Sequence, residues 1–531
     1  SLRTAAAVWR AVAIAAAVAL CPSQSDAQAL PGLSSLRVTY NTRKATAKPQ
    51  GELKAQLDEV DKALVAATRA GDAGETRRQL AKGLALLAGS AWTAALDYQN
   101  SLVIRSERTV VDSSAPYAAR LEQIYRPSID LTPALTARVS LLKRQPAPAG
   151  AGRAAAQAPG PGSPAMMTVR EFGRLDGVAR DLRESPFPLE LDLSALPDGA
   201  YTLEAEVFDG ATSLGAVRLG LALQNGLDAR LRALEAGAAA APEALRADIR
   251  YPGDYIRNVN RGRVGRGTFD VGAELAAAEG VLAAVKAGKD PFKGRTGSME
   301  RHYVLDGANE VMPYRVHVPA AYRDAAPTPL VIALHGLGGN EDSFFDSYSG
   351  VAVKLAERHG FLMAAPLGYR VDGFYGATMG AAVPDAAMRR RLDLSEKDVL
   401  EVVRLMRAHY NVDPGRVYLI GHSMGAIGTW HLAAKYPDLW AAVGPFSGTG
   451  SPASVERMKG IPQIVVHGDA DPTVPVSGSR NMVAEMKRLG VPVTYIEVPG
   501  GNHSDVVVPN LPKVFEFLAA QRKEAAAAPV K

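Results

Sequence analysis

The chain has 531 residues, of which 47% are apolar, and a formal charge of +5. Such a length exceeds one ordinary domain, and such a composition can bury a large core. The charge is small and the basic residues are scattered, with the run Arg389-Arg390-Arg391 the densest, which argues against nucleic-acid binding. The single cysteine, Cys21, excludes both an intramolecular disulfide and a zinc site built from cysteines.

Arg3 and Arg10 precede the apolar run 11–20, and Ala27-Gln28-Ala29 follows it. The run is too short to span a bilayer, and the small-x-small triplet is a cleavage pattern. Residues 1–29 are therefore expected to be a signal peptide, and the protein to be secreted or periplasmic. No later segment offers 18 uncharged apolar residues, so no integral membrane contact is expected.

A helical N-terminal region is expected over 30–145. Apolar residues recur at three and four positions through 51–98, interrupted at Gly71-Asp72-Ala73-Gly74, which predicts two packed helices. A weaker helical signal continues through 100–143. Residues 146–164 are almost wholly Pro, Ala, Gly and Ser and read as a linker. The next block, 165–297, reads as a small β-sandwich-like module with flanking helices. Its clearest strand is 201–208, where Tyr201, Leu203, Ala205 and Val207 alternate with Thr202, Glu204 and Glu206.

From 298 to 525 apolar strand candidates alternate with helical patterns. The strands are 314–319, 330–336, 361–368, 417–423, 440–448, 463–471 and 493–499; the helices are 395–409, 425–435, 477–489 and 511–522. Continuous apolar strands separated by helices predict an α/β domain whose mostly parallel sheet is covered on both faces.

Within it, Val417-Tyr418-Leu419-Ile420 leads into Gly421-His422-Ser423-Met424-Gly425 and then a helical pattern. A serine between strand and helix, flanked by two glycines that remove clashing Cβ atoms, is held above the sheet as a nucleophile. It also meets the positive end of the following helix. A serine hydroxyl needs a base to take its proton, and the base needs an orienting acid. In the expected order serine, acid, histidine, Asp471 and His503 both lie in loops just past apolar strands. Asp469 is the rival acid, still within the tight exit of its strand, and Asp505 is too near His503 in sequence. Among the other histidines, His422 and His467 read as packing residues, while His335 opens a glycine-rich turn and His431 lies on the helix after the serine. The oxyanion donors are expected to be the backbone N–H groups of Leu337 and Met424, with Gly338 as the alternative to Leu337.

Neither a G-x-G-x-x-G spacing nor a GK[ST] element supports nucleotide binding, and neither HxxH nor HExxH supports a metal enzyme. Asp469, Asp471, His467 and His503 form a metal-ligand set only on paper, one that leaves the serine turn unexplained.

The combination YRVHVPAAY, LVIALHGLGGNEDSF, GHSMGA, HGDADPTVPV and GGNH resembles the α/β-hydrolases. The similar branch includes secreted polyhydroxybutyrate depolymerase-like enzymes, feruloyl and acetylxylan esterases, and prolyl-oligopeptidase-like hydrolases. The resemblance covers about 298–525. It implies a serine carboxylic ester hydrolase in which Ser423 is nucleophile, Asp471 acid and His503 base, with Leu337 and Met424 as oxyanion donors. It implies two-step acyl transfer without a cofactor or metal, on a small-molecule or polymeric ester such as a feruloyl, acetyl-sugar or polyester compound. Some esterases of this branch carry an immunoglobulin-like domain, which suits the β unit at 185–224. A serine peptidase of prolyl-oligopeptidase-like type uses the same residues, but 30–297 shows no repeat of propeller-blade length. The loop 368–394 leaves a strand on the active-site side, so Tyr369, Phe374 and Tyr375 are candidates to line the substrate pocket, together with Phe446.

Overall fold

The computed structural model describes residues 33–145, 166–378 and 385–523. The expected signal peptide at 1–29 and linker at 146–164 lie outside the described residues. These fall into two units: one takes 33–235 and Tyr255–Ala277, the other Ala236–Asp254 and the chain from Ala278 onward.

The first unit opens with helices α1 (Leu33–Ala47), α2 (Gly51–Arg69), α3 (Ala73–Leu87) and α4 (Ala94–Ser101). Leu57, Val60, Leu64 and Ala67 recur at helical spacing along α2 and are its buried face. The interruption expected at 71–74 is the α2–α3 turn, where the Asp72 carboxylate accepts from the Glu75 N–H at 2.9 Å and caps α3.

The helical expectation for 100–143 fails. Strands β1 (Leu102–Arg105), β2 (Val110–Asp112), β3 (Tyr117–Gln123) and β4 (Leu135–Arg144) occupy it. Ala, Leu, Arg and Glu favour helices, but burial along β3 alternates residue by residue, and Leu135, Ala137, Val139 and Leu141 of β4 are all buried. Tertiary packing overrides propensity there. With β5 (Met166–Val178), β6 (Phe187–Leu191), β7 (Gly199–Asp209) and β8 (Thr212–Gln224) they form two sheets, in the orders β1-β3-β6 and β2-β8-β7-β4-β5. One apolar core unites residues of both sheets, including Leu121, Val139, Leu189 and Leu203. The alternation predicted for 201–208 is the inward face of β7. This arrangement starts at Leu102, well before the expected unit at 185–224, and pairs β2 with β8 in parallel, so it gives no specific support to an immunoglobulin-like module.

Helices α5 (Leu227–Ala240), α6 (Glu243–Asn260) and α7 (Val271–Lys286) follow. The second unit is built on an eight-stranded sheet. Its strands are β9 (Gly297–Leu305), β10 (Glu310–Val318), β11 (Thr328–Leu334), β12 (Leu362–Pro366), β13 (Val412–His422), β14 (Ala442–Phe446), β15 (Gln463–Gly468) and β16 (Val493–Val498). The order is β16-β15-β14-β13-β11-β12-β10-β9. The sheet is mixed: β11 pairs in parallel with β12 and β13, and β13 to β16 pair in parallel in sequence, whereas β10 runs antiparallel to both β9 and β12. The antiparallel part comes from the β9–β10 hairpin, of which β9 carries no continuous apolar run.

Helices α8 (Ser343–Asp346), α9 (Val351–His359), α10 (Ala386–His409), α11 (Met424–Lys435), α12 (Ser477–Arg488) and α13 (Val507–Ala519) flank this sheet. Successive residues of one strand enter different cores. Leu330, Ile332 and Leu334 of β11 join Val402 and Trp430 on one face, while Val331 and Ala333 join Leu355 and Phe515 on the other. A strand buried on both faces needs apolar side chains at every position, which is why the sequence reads as unbroken runs. Among the described residues no helix is long and apolar enough to cross a membrane.

Candidate active site

The β13 strand ends at His422 and α11 begins at Met424, leaving Ser423 alone in the turn. Its backbone is at φ 57 and ψ −116, a conformation that a side chain-bearing residue adopts only when its surroundings force it. The forcing is visible at the flanking glycines. A Cβ on Gly421 would meet the Gly425 carbonyl, and a Cβ on Gly425 would lie 2.8 Å from the His335 carbonyl oxygen. The Ser423 N–H donates to the Phe446 carbonyl at 2.9 Å, which ties the turn to the end of β14.

Two loops at the carboxyl ends of β15 and β16 complete the group. His503 Nε2 lies 2.8 Å from Ser423 Oγ, and His503 Nδ1 lies 2.7 Å from Asp471 Oδ2. The other Asp471 oxygen accepts the N–H groups of Thr473 at 2.8 Å and Val474 at 2.9 Å. Burial pushes the Asp471 carboxyl upward, but the His503 hydrogen bond and the two N–H donors outweigh it and hold the group below the usual range. Asp471 is thus an anion with fixed acceptors, able to orient His503 and to stabilise its protonated form.

The rival acid is engaged elsewhere: Asp469 Oδ1 accepts the Gly500 N–H at 2.7 Å. Asp505 accepts the Asn502 N–H at 2.8 Å, and Asn502 in turn accepts the N–H groups of Ser504 and Asp505. This closed turn carries His503. His467 is fully buried, with Nδ1 2.7 Å from Ser479 Oγ and Nε2 3.0 Å from the Val474 carbonyl. Burial lowers its pKa, so it is a neutral support for the Asp471 loop.

His422 does more than pack. Its Nδ1 lies 2.7 Å from the Tyr348 hydroxyl, and its Nε2 lies 2.9 Å from the backbone carbonyl of His503. Burial lowers its pKa to about 4, so the ring is neutral near pH 7. A neutral imidazole has one donor and one acceptor nitrogen. The Nε2–H donates to the carbonyl, and Nδ1 accepts from the tyrosine hydroxyl. Sequence reasoning misses Tyr348, because it sits in a short irregular segment 75 residues before the serine, with no pattern to mark it.

Gly336 follows β11 so closely behind the serine that a Cβ there would lie 3.3 Å from Ser423 Cβ. Leu337 is next, 55% exposed at the rim. The Gly338 N–H donates to the Val371 carbonyl at 2.9 Å, so the alternative donor is occupied. Among the described residues, no hydrogen bond engages the N–H of Leu337 or of Met424. The Met424 N–H is the first of α11, where a helix leaves its donors unsatisfied.

Two pocket expectations are corrected. Tyr375 is fully buried, its hydroxyl donating to the His335 carbonyl at 3.1 Å while its ring packs against Gly428. Phe446 is fully buried in the core on the opposite face. Tyr375 lies in the expected loop 368–394 and Phe446 at the end of the expected strand 440–448, yet both side chains turn inward to fill volume. Tyr369 is half-buried, with the Arg370 guanidinium 3.9 Å above its ring and its N–H on Asp398 at 2.6 Å. Phe374 is half-buried against the core that holds Tyr375.

Residues 307–524 match the family described as "Putative esterase". The chain is 31% identical over 190 residues to "Putative esterase NocK" of Nocardia uniformis, covering 34% of this chain and 52% of that protein. It is 30% identical over 125 residues to feruloyl esterase B of Neurospora crassa, covering 23% of this chain and 40% of that protein. It is 29% identical over 168 residues to acetylxylan esterase A of Talaromyces purpureogenus, covering 31% and 41% respectively. The chain thus spans about half the length, or less, of these curated relatives. Residues 307–524 are thus similar to esterases, among them feruloyl and acetylxylan esterases, at low to moderate identity.

Proposed function

We propose that the protein hydrolyses carboxylic esters by two-step acyl transfer at Ser423. The observation that carries this reading is the hydrogen-bonded chain Asp471–His503–Ser423 at a strained strand-to-helix turn. In the first step Ser423 Oγ attacks the ester carbonyl carbon as His503 Nε2 takes its proton. The carbonyl oxygen becomes an oxyanion, received by the N–H groups of Leu337 and Met424. Collapse breaks the bond to the alkoxy oxygen, which leaves as alcohol with the proton from His503. Water then attacks the acyl-serine, giving His503 its proton, and the acid departs as Ser423 recovers that proton. Asp471 stays ionised throughout and keeps the imidazole in one orientation.

The substrate reading is an ester of a feruloyl, acetyl-sugar or polyester kind, supported by the names of the feruloyl and acetylxylan relatives and by the exposed apolar rim of Leu337 and Val371. The test is covalent. A fluorophosphonate should modify the protein once, and peptide mapping should put the adduct on Ser423. Modification at another serine, or none, would remove the nucleophile from the account. Turnover of peptide anilides in preference to esters would replace the esterase by a peptidase.

A further inference from the structure

A cavity of about 540 Å³ lies along one face of α11. Ile427, Trp430, His431, Ala434 and Lys435 line it, at the helical spacing i, i+3, i+4, i+7, i+8. The first is one turn beyond Ser423, and at 1.5 Å per residue Lys435 lies roughly 18 Å along the helix from the serine. The apolar lining from α11 is Ile427, Trp430 and Ala434. The segment after β14 supplies Thr449, Ser451, Ser454 and Arg457, and Thr378 also lines the cavity.

The polar lining has an unbalanced charge. None of the lining residues is a carboxylate. His431 and Lys435 are already satisfied, each 2.7 Å from a different oxygen of Glu396. The Tyr436 hydroxyl donates to Glu396 as well. Together these donors overcome the burial that would raise the Glu396 pKa and lower it to about 2. Arg457 has no such partner. Among the described residues no acceptor engages its guanidinium, and no side-chain hydrogen bond engages the hydroxyls of Thr378, Thr449 or Ser451. A guanidinium, three hydroxyls without side-chain hydrogen bonds and apolar side chains lining one cavity match a carboxylate on an apolar body.

We infer that this cavity is a subsite for a carboxylate-bearing part of the substrate, with Arg457 as its ion-pairing residue. The inference rests on the esterase reading for the word substrate, and it narrows the class to esters that carry an acid group remote from the scissile bond. A neutral acyl or sugar group would leave Arg457 and the hydroxyls to water and gain only the apolar lining.

The cavity can be read without turnover. Isothermal titration of Ser423→Ala with 4-phenylbutyrate and with its neutral counterpart 4-phenylbutanamide compares one body with and without the charge. The expected result is saturable binding of the carboxylate at least about tenfold tighter than the amide, with that advantage lost in Ser423→Ala/Arg457→Ala. Arg457 is exposed, so its removal leaves the core untouched. Equal binding of the two compounds, equal binding in both variants, or no binding would overturn the inference. In the wild type, 4-phenylbutyrate should compete with p-nitrophenyl butyrate; binding without competition would remove the cavity from the substrate path. Failure of the wild type to turn over any ester would instead sink the serine reading, and the titration would still decide the cavity.

Discussion

Gly425→Ala perturbs the serine turn without touching a reacting group. A Cβ there would lie 2.6 Å from the Leu334 carbonyl carbon and 2.8 Å from the His335 oxygen, with the Leu334 oxygen nearer still. Real Cβ contacts essentially never fall below 3.0 Å. The carbon alone must therefore yield 0.4 Å (3.0 less 2.6), and its oxygen more. Backbone is the obstacle, so no side-chain rotation relieves it. The end of β11 and the start of α11 must separate by on the order of 1 Å, a displacement that can cost about 100-fold in rate. The separation pulls the Leu337 N–H from the Met424 N–H, so the loss should fall on kcat rather than KM. Overpacking of this kind costs about 1–3 kcal/mol, a lowering of Tm by a few degrees. Gly460→Ala is the control, because its Cβ would meet nothing within 4 Å. Steady-state kinetics on p-nitrophenyl butyrate with thermal melts of both variants reads the outcome. Wild-type kcat in a folded Gly425→Ala protein would refute the argument that this close approach sets the donors.

Three further outcomes are expected. Asp471→Asn keeps the shape of the acid but removes its charge, and should lower kcat by about 10³-fold or more at unchanged fold, read by steady-state kinetics and circular dichroism. His422→Ala frees the His503 carbonyl; kcat should fall by about tenfold with KM little changed, Tyr348→Phe should show a smaller loss of the same kind, and equal KM and kcat effects would count against positioning. Glu341 is buried with one oxygen unpartnered, and burial, with repulsion from Glu300 and Asp342, raises its pKa to about 8. The folded state therefore holds a proton that the unfolded state releases near its ordinary pKa, so stability should fall as pH rises from about 4.5 to 8. Denaturant melts at pH 5 and pH 9 should show a smaller drop for Glu341→Gln than for the wild type.

The parts legible in the sequence are those whose physics is local. The run Val417–Ile420, the glycines at 421 and 425 and the helical pattern beyond them fix the turn around Ser423, because each constraint acts within a few residues. The parallel strands read clearly because burial on two faces demands unbroken apolar runs. The strands at 102–144 did not, since their alternation is carried by alanine, leucine and arginine, and only pairing with β6, β7 and β8 reveals it. Tyr375 and Phe446 misled for a related reason: neither a glycine-rich loop nor the end of a strand fixes the direction in which an aromatic side chain points. The contact of Tyr348 with His422 joins distant segments, and no periodicity predicts it.

The central claim is that Ser423 attacks the ester. Hydrolysis of p-nitrophenyl acetate and butyrate should be compared between the wild type and Ser423→Ala, with folding checked by circular dichroism. The account predicts a loss of about 10³-fold or more in the folded variant. Equal activity in the two proteins would contradict it.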